Sequence, residues 1–116
     1  MTNKKKTVKR FAITIGLNDS DTFSQKCEIE KAIDIVKNCC KSYRVPCTYA
    51  LADGGYIHSN GSYINEKSLV ISIIDPDDEN MIDEISRDLC AFFNQECVSV
   101  MCENVEYYLV HDSIKK

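Results

Sequence analysis

Histidine is scarce in this chain. Its 116 residues contain two, His58 and His111, each isolated from any cysteine pair. No C-x-x-C occurs either, so a zinc site built from closely spaced His and Cys has no footing. The run Asn18-Asp19-Ser20-Asp21 places oxygen ligands in a row, but it lacks the glycine and the distal glutamate of a calcium loop and reads as turn and cap chemistry. Gly54-Gly55 is too short for a phosphate-binding loop and does not precede a helix. No stretch approaches the ~20 apolar residues of a membrane span. The basic start is not followed by an export signal: residues 11–17 are too short and too alternating, and no small-residue cleavage site comes after them. A cytoplasmic location is the expectation. There is no internal repeat, linker or low-complexity segment. No nucleophile–base signature is legible, so neither a catalytic residue, a cofactor nor a metal is assigned.

What is present is ordinary globular composition, 44% hydrophobic and 28% charged, at a length typical of one domain. Such a domain can bury roughly two thirds of its unfolded-chain surface and needs no metal or disulfide to fold. The seven cysteines are odd in number. Without an export signal they read as small buried hydrophobes rather than a disulfide framework. A net charge of −4 argues against direct nucleic-acid binding, which rests on neutralising phosphates. The exception is the cluster Lys4, Lys5, Lys6, Lys9 and Arg10. Residues 1–7 of it are expected to form a mobile basic tail, ahead of one domain over 8–111 and a frayed end over 112–116.

Hydrophobic periodicity sets the elements. Phe11, Ile13, Ile15 and Leu17 alternate in a first strand over 8–17. Ile29, Ala32, Ile33, Val36, Cys40 and Tyr43 make one stripe of a helix over about 24–43. Pro46 stops it, and a strand over 47–52 meets a bulge at Gly54-Gly55. Asn60-Gly61 predicts a two-residue type I′ hairpin turn leading into a strand that ends on the apolar run 69–74. Asp75 then caps a helix beginning at Pro76, whose stripe is Ile82, Ile85, Leu89 and Phe92 with Phe93 beside it. A fourth strand spans 97–102, and Glu103-Asn104 turns into an additional last strand over 105–110. The order predicts an α+β fold, a ferredoxin-like βαββαβ domain with an additional C-terminal strand and two helices on one face of an antiparallel sheet.

Three pieces carry a resemblance: Ile13-Thr14-Ile15-Gly16-Leu17; the hairpin from Asp53-Gly54-Gly55-Tyr56 through Gly61-Ser62-Tyr63-Ile64-Asn65-Glu66-Lys67-Ser68; and Phe93-Asn94-Gln95-Glu96-Cys97-Val98. Over residues 11–100 the layout resembles a family of short bacterial and phage-associated proteins of unassigned function. In that family a Gly-aromatic hairpin ending in Glu-x-Ser precedes a helix closing on Phe-x-Gln-x-x-Val. The resemblance implies the fold and no activity.

Two surfaces stand out as binding sites. With a two-residue turn, His58 opposes Tyr63 and Tyr56 opposes Asn65, so Tyr56, His58 and Tyr63 share one aromatic face. Such a face is either a stabilising cross-strand cluster or a recognition surface. Among the acids around the second helix, Asp77, Asp78, Glu84 and Asp88 form either a dipole-matched solvated face or a negative patch for a basic partner. His58 and Glu66 fall on one face by alternation, at most as an acid–base pair. The favoured expectation is a non-enzymatic protein-binding module, an inhibitor of a bacterial defence protein in the manner of an anti-CRISPR. A protein partner is expected, and a membrane is not. The alternative is a small-molecule-binding or catalytic domain using the open sheet face, where Thr14, Val70, Ser72, Ser99 and Met101 also offer a homodimer interface.

Overall fold

The alternating run at the start of the chain forms strand β1, Lys6–Gly16. Ile13 and Ile15, wholly buried, point to one side of it, and Thr14 and Gly16, half-buried, to the other. In the computed structural model, which describes residues 4–19 and 21–114, it is followed by α1 (Ile29–Ser42), β2 (Thr48–Ile57), β3 (Tyr63–Ile74), α2 (Asn80–Phe92) and β4 (Ser99–Tyr107). The sheet order is β2-β3-β1-β4, with every neighbouring pair antiparallel. This is the ferredoxin-like βαββαβ arrangement, with the central positions held by the first and third strands. The parts of the expected basic tail and frayed end over 1–3 and 115–116 lie outside the described residues.

The core lies between the sheet and the two helices. Ile13 faces Ile71 and Ile15 faces Leu69 across β1 and β3, and all four are buried. Val36 and Ala32 of α1 and Ile82, Ile85 and Leu89 of α2 close over them. Both helices end alike. Arg44 (φ 57°) and Asn94 (φ 49°) take the left-handed conformation. The next N–H then reaches back to the helix, from Val45 to the carbonyl of Cys40 at 3.0 Å and from Gln95 to that of Cys90 at 2.9 Å. These bonds satisfy carbonyls that a helix end otherwise leaves open.

Several expected boundaries shift, each for a local reason. α1 begins at Ile29 rather than at residue 24, because Asp19 captures the backbone instead: its carboxylate accepts the N–H of Asp21 (2.9 Å) and of Thr22 (3.2 Å). Asn and Asp side chains compete with helix in this way. Asp75 has φ 53° and does not cap α2; its carboxylate takes the Lys6 ammonium at 3.3 Å. On α2 the stripe runs on to Phe93, which is buried, while Phe92 is 61% exposed. The additional C-terminal strand does not exist as a separate element: β4 runs unbroken through Glu103 and Asn104, which pair with Arg10 and Lys9. The basic cluster is not a free tail. β1 starts at Lys6, and Lys5, Lys6, Lys9 and Arg10 meet Glu106, Asp75, Glu79 and Glu103.

Cysteine burial divides. Cys39 and Cys40 are buried on α1, Cys27, Cys47 and Cys90 are half-buried, and Cys97 and Cys102 are exposed; all are free thiols. Burial pushes the Cys39 thiol up to about 11 and the Cys40 thiol, also hydrogen-bonded to Cys47, up to about 12. Low dielectric disfavours the thiolate. Among the described residues no helix is long and apolar enough to cross a membrane.

Candidate functional site

The hairpin joining β2 and β3 sets the geometry of the site. Its loop is Ser59-Asn60-Gly61, one residue longer than expected. His58 N–H donates to the Ser62 carbonyl, and Gly61 N–H to the His58 carbonyl, both at 2.8 Å. Gly61 has φ 89° and Asn60 lacks the positive φ that a type I′ turn requires. The loop is instead of the three-residue kind, in which a left-handed glycine follows a tight turn. Asn60 stabilises it by accepting Ser62 N–H at 2.9 Å and Ser62 hydroxyl at 2.6 Å.

One extra loop residue moves the register by one, and a strand shifted by one residue swaps the faces of its side chains. Tyr56 pairs with Ile64, and Tyr63 with Ile57. The expected Tyr56–His58–Tyr63 face is therefore not assembled: Tyr56 and Tyr63 lie on opposite faces. Gly54-Gly55 is not a bulge, since β2 pairs continuously through Gly54↔Glu66 and Gly55↔Asn65. Gly55 is instead bare so that the ring of Tyr63 can lie over it, where a Cβ would collide with the ring. His58 turns to a residue that sequence reasoning did not single out, Phe23, with ring centroids 4.5 Å apart at 80°.

The acidic residues separate as well. Asp88 accepts the Tyr43 hydroxyl at 2.6 Å, joining α2 to α1. That hydrogen bond, with burial and the nearby charge, pushes the Tyr43 phenol up to about 12. Asp78 accepts Asn80 N–H at 2.9 Å ahead of α2. Asp77 and Glu84 are exposed. None of these four acids lines the cleft described next.

The arm of β2 and β3 runs on past the end of β1, and the 18–25 loop folds back beside it. Between them is a cleft of about 580 Å³ lined by Asn18, Phe23, Gly54, Glu66 and their neighbours. That volume falls in the range of small-molecule sites, about 300–1,000 Å³. Glu66 is its central ionisable group. Alternation with Ser68 and Val70 puts it at the margin of the open sheet face. Its carboxylate lies over Gly16, in the space a Cβ at that position would fill, and accepts the backbone N–H of Asn18 at 2.9 Å. Among the described residues no Lys or Arg stands within ion-pair distance of Glu66, whereas the neighbouring Asp53 and Lys67 neutralise each other at 2.7 Å. The cleft thus holds one uncompensated negative charge and does not bring His58 to Glu66 as an acid–base pair.

Asn18 holds this corner together. It is 7% exposed. Its amide donates to the Asn65 carbonyl at 3.1 Å, and its own carbonyl accepts the Gln95 side chain. The 19–25 loop is anchored from α2: the Asn94 amide donates to Asp19 and to Asp21, each at 2.9 Å. With the Asn94 bond as the leading cause, Asp19 is held below its ordinary value. The loop carries Phe23 at φ 56°, 45% exposed. For a residue with a Cβ that conformation costs roughly 1–2 kcal/mol. On the open face, Thr14 pairs with both Val70 and Ser99, and Ala12 with both Ser72 and Met101, so the five expected face residues do share one surface. Among the described residues no three His, Cys, Asp or Glu side chains cluster as a metal site.

Fold and cleft together define an α+β domain of ferredoxin-like type with a small, negatively charged cleft at the edge of its open sheet. No family model matches the chain, and no curated protein matches it. Solved structures do. The chain is similar to a phage SAM lyase in complex with S-methyl-5′-thioadenosine, at 20% identity and a TM-score of 0.68 over 90% of each chain. It is also similar to a phage SAM lyase in the apo state, at 21% identity and a TM-score of 0.62 over 91% of each. At this identity the likeness establishes the fold. The neighbours are phage proteins, in keeping with the phage-associated part of the resemblance. They are enzymes acting on a small molecule, and this overturns the expectation of a non-enzymatic protein-binding inhibitor. That expectation leaned on an aromatic hairpin face that a one-residue register shift takes apart.

Proposed function

We propose that this protein binds S-adenosylmethionine (SAM) in the Glu66 cleft and acts as a lyase on it, releasing S-methyl-5′-thioadenosine. The observation that carries the reading is the half-buried Glu66 carboxylate, without a basic partner among the described residues, set in a cleft of ligand size. The likeness in fold to a SAM lyase over nine tenths of the chain supports it. SAM carries a sulfonium, a permanent cation with no proton to donate. A half-buried carboxylate held in place by a backbone N–H is its natural complement. At 4 Å and an effective dielectric of 20 the attraction is about 4 kcal/mol, of which desolvation takes back part.

The chemistry suits this arrangement. When the C–S bond to the amino-acid chain breaks, both electrons go to sulfur and the sulfonium becomes a neutral thioether. The four-carbon fragment leaves by closing on its own carboxylate, whose oxygen forms the new bond to carbon as the bond to sulfur breaks, and no water is consumed. Glu66 holds and orients the cation before cleavage. Afterwards its attraction has no charge to act on, and the nucleoside product is free to leave. Asn18 and Gly16 position the carboxylate for this: one donates to it, and the other makes room for it.

The test is to incubate the purified protein with SAM and follow S-methyl-5′-thioadenosine by liquid chromatography and mass spectrometry, beside calorimetric binding of SAM. Wild type should form the product. Glu66→Gln keeps an acceptor for Asn18 N–H but not the charge, and it should bind SAM at least tenfold more weakly. Absence of both product and binding in a folded wild-type protein would sink the reading.

A further inference from the structure

We infer that Phe23, backed by His58, is the wall against which the cleft takes the purine ring of its ligand, while Glu66 takes the positive charge. The inference rests on the reading above and assigns the other half of the ligand. Phe23 is a large aromatic left 45% exposed on the lining of the same cleft as Glu66. Its backbone sits at φ 56°, a conformation that bulky residues avoid and that tends to persist where function uses it. The surrounding loop over-determines it. Phe23 N–H donates to the Asp19 carbonyl at 2.8 Å, Asp19 N–H donates to the Ser24 carbonyl at 2.8 Å, and Asn18 bridges to Gln25. From the other side Asn94 ties Asp19 and Asp21 to the end of α2. The ring is thus presented by a braced turn.

His58 supplies the backing. The two rings meet edge to face, centroids 4.5 Å apart. An edge-to-face pair uses the face of one ring and only the edge of the other, so stacking surface is left over. A planar heteroaromatic base is the ligand part that such a surface accepts, and it does so with little demand for hydrogen bonds. In this arrangement the ring meets Phe23 and the charge meets Glu66, which line the cleft from different elements. The two halves of recognition are therefore separable.

The experiment uses two compounds, each with half of the recognition chemistry: S-methyl-5′-thioadenosine, which has the ring and no charge, and S-methylmethionine, which has the sulfonium and no ring. Calorimetric titration of each is made with wild type, Phe23→Leu, Phe23→Tyr and Phe23→Gly. The glycine variant accepts positive φ without strain, so it folds even where the leucine variant does not. The leucine and glycine variants should bind S-methyl-5′-thioadenosine at least tenfold more weakly, with S-methylmethionine within twofold of wild type. Phe23→Tyr should stay within threefold for both. If wild type binds both compounds and neither the leucine nor the glycine variant loses affinity for the nucleoside, Phe23 is not the wall. A folded wild type that forms S-methyl-5′-thioadenosine from SAM but does not bind that nucleoside overturns this inference alone, and one that neither binds SAM nor forms product overturns the SAM reading with it.

Discussion

The Glu66 carboxylate rests on the bare α-carbon of Gly16, fastened there by the backbone N–H of Asn18 at 2.9 Å. Any side chain at position 16 must evict it. Because the evicted group is the far end of a flexible side chain, eviction is mechanically easy. Gly16→Ala should therefore leave stability within about 1 kcal/mol of wild type, since alanine is the better strand residue, while SAM affinity falls at least tenfold. Urea denaturation read beside calorimetric titration separates the two effects. A variant that binds normally would show that the carboxylate does not need this seat.

Adjacent phenylalanines at the end of α2 should behave oppositely. Phe93 is 6% exposed and Phe92 61%. Phe93→Ala should cost about 3–5 kcal/mol in chemical denaturation, the range for a buried aromatic. Phe92→Ser should stay within about 0.5 kcal/mol. Equal effects would mean that the helix is rotated from the orientation described.

Alkaline pH should weaken the fold from a defined point. Cys39 rises from its ordinary 9.0 to about 11, Cys40 from 9.0 to about 12, and Tyr43 from 10.0 to about 12. All three are neutral when protonated, and the folded state holds their protons longer than the unfolded chain does. Their contribution is fully present below pH 9 and is lost progressively as pH climbs from 9 through 12, because the unfolded state ionises first. Denaturation midpoints measured from pH 8 to 11 should fall above 9. The slope should be shallower in Cys39→Ala/Cys40→Ala, and in Tyr43→Phe it should be shallower only above pH 10.

The hairpin loop offers a fourth check. Gly61 alone carries positive φ, at 89°, so Gly61→Ala should destabilise by roughly 1–2 kcal/mol. Asn60→Gly, which a type I′ turn would welcome, should bring no gain here. It removes the two hydrogen bonds that Asn60 accepts from Ser62. Thermal melts of the two variants distinguish the loop types.

Strand and helix periodicity made the fold legible. Phe11, Ile13 and Ile15 fix the inner face of β1, and Ile82, Ile85 and Leu89 that of α2, whatever happens at their ends. The site was less legible because it depends on quantities that alternation does not encode. Glu66 was visible as part of the Glu-x-Ser hairpin pattern and as a partner for His58, whereas its real neighbours, Gly16 and Asn18, are remote in sequence and meet it through the pairing of β1 with β3. Phe23 sits just ahead of the stretch that reads as a helix from about residue 24. Only the capture of backbone N–H groups by Asp19, reinforced by Asn94 from across the molecule, turns that stretch into a loop that displays a ring. Gly16, a glycine at the end of a central strand, was the one local hint of a close approach there.

The three-residue loop at 59–61 has a consequence for how this protein can change. Loop length acts on the β2–β3 arm as a reading frame acts on codons. Removing one residue would slide β2 by one position against β3 and lift Tyr63 off Gly55, while Glu66 stays over Gly16, where the pairing of β1 with β3 holds it. Substitutions in the loop are local edits, but a single insertion or deletion is a frameshift in three dimensions. Variants that keep the cleft should therefore tolerate altered residues at 59 and 60 and never an altered count.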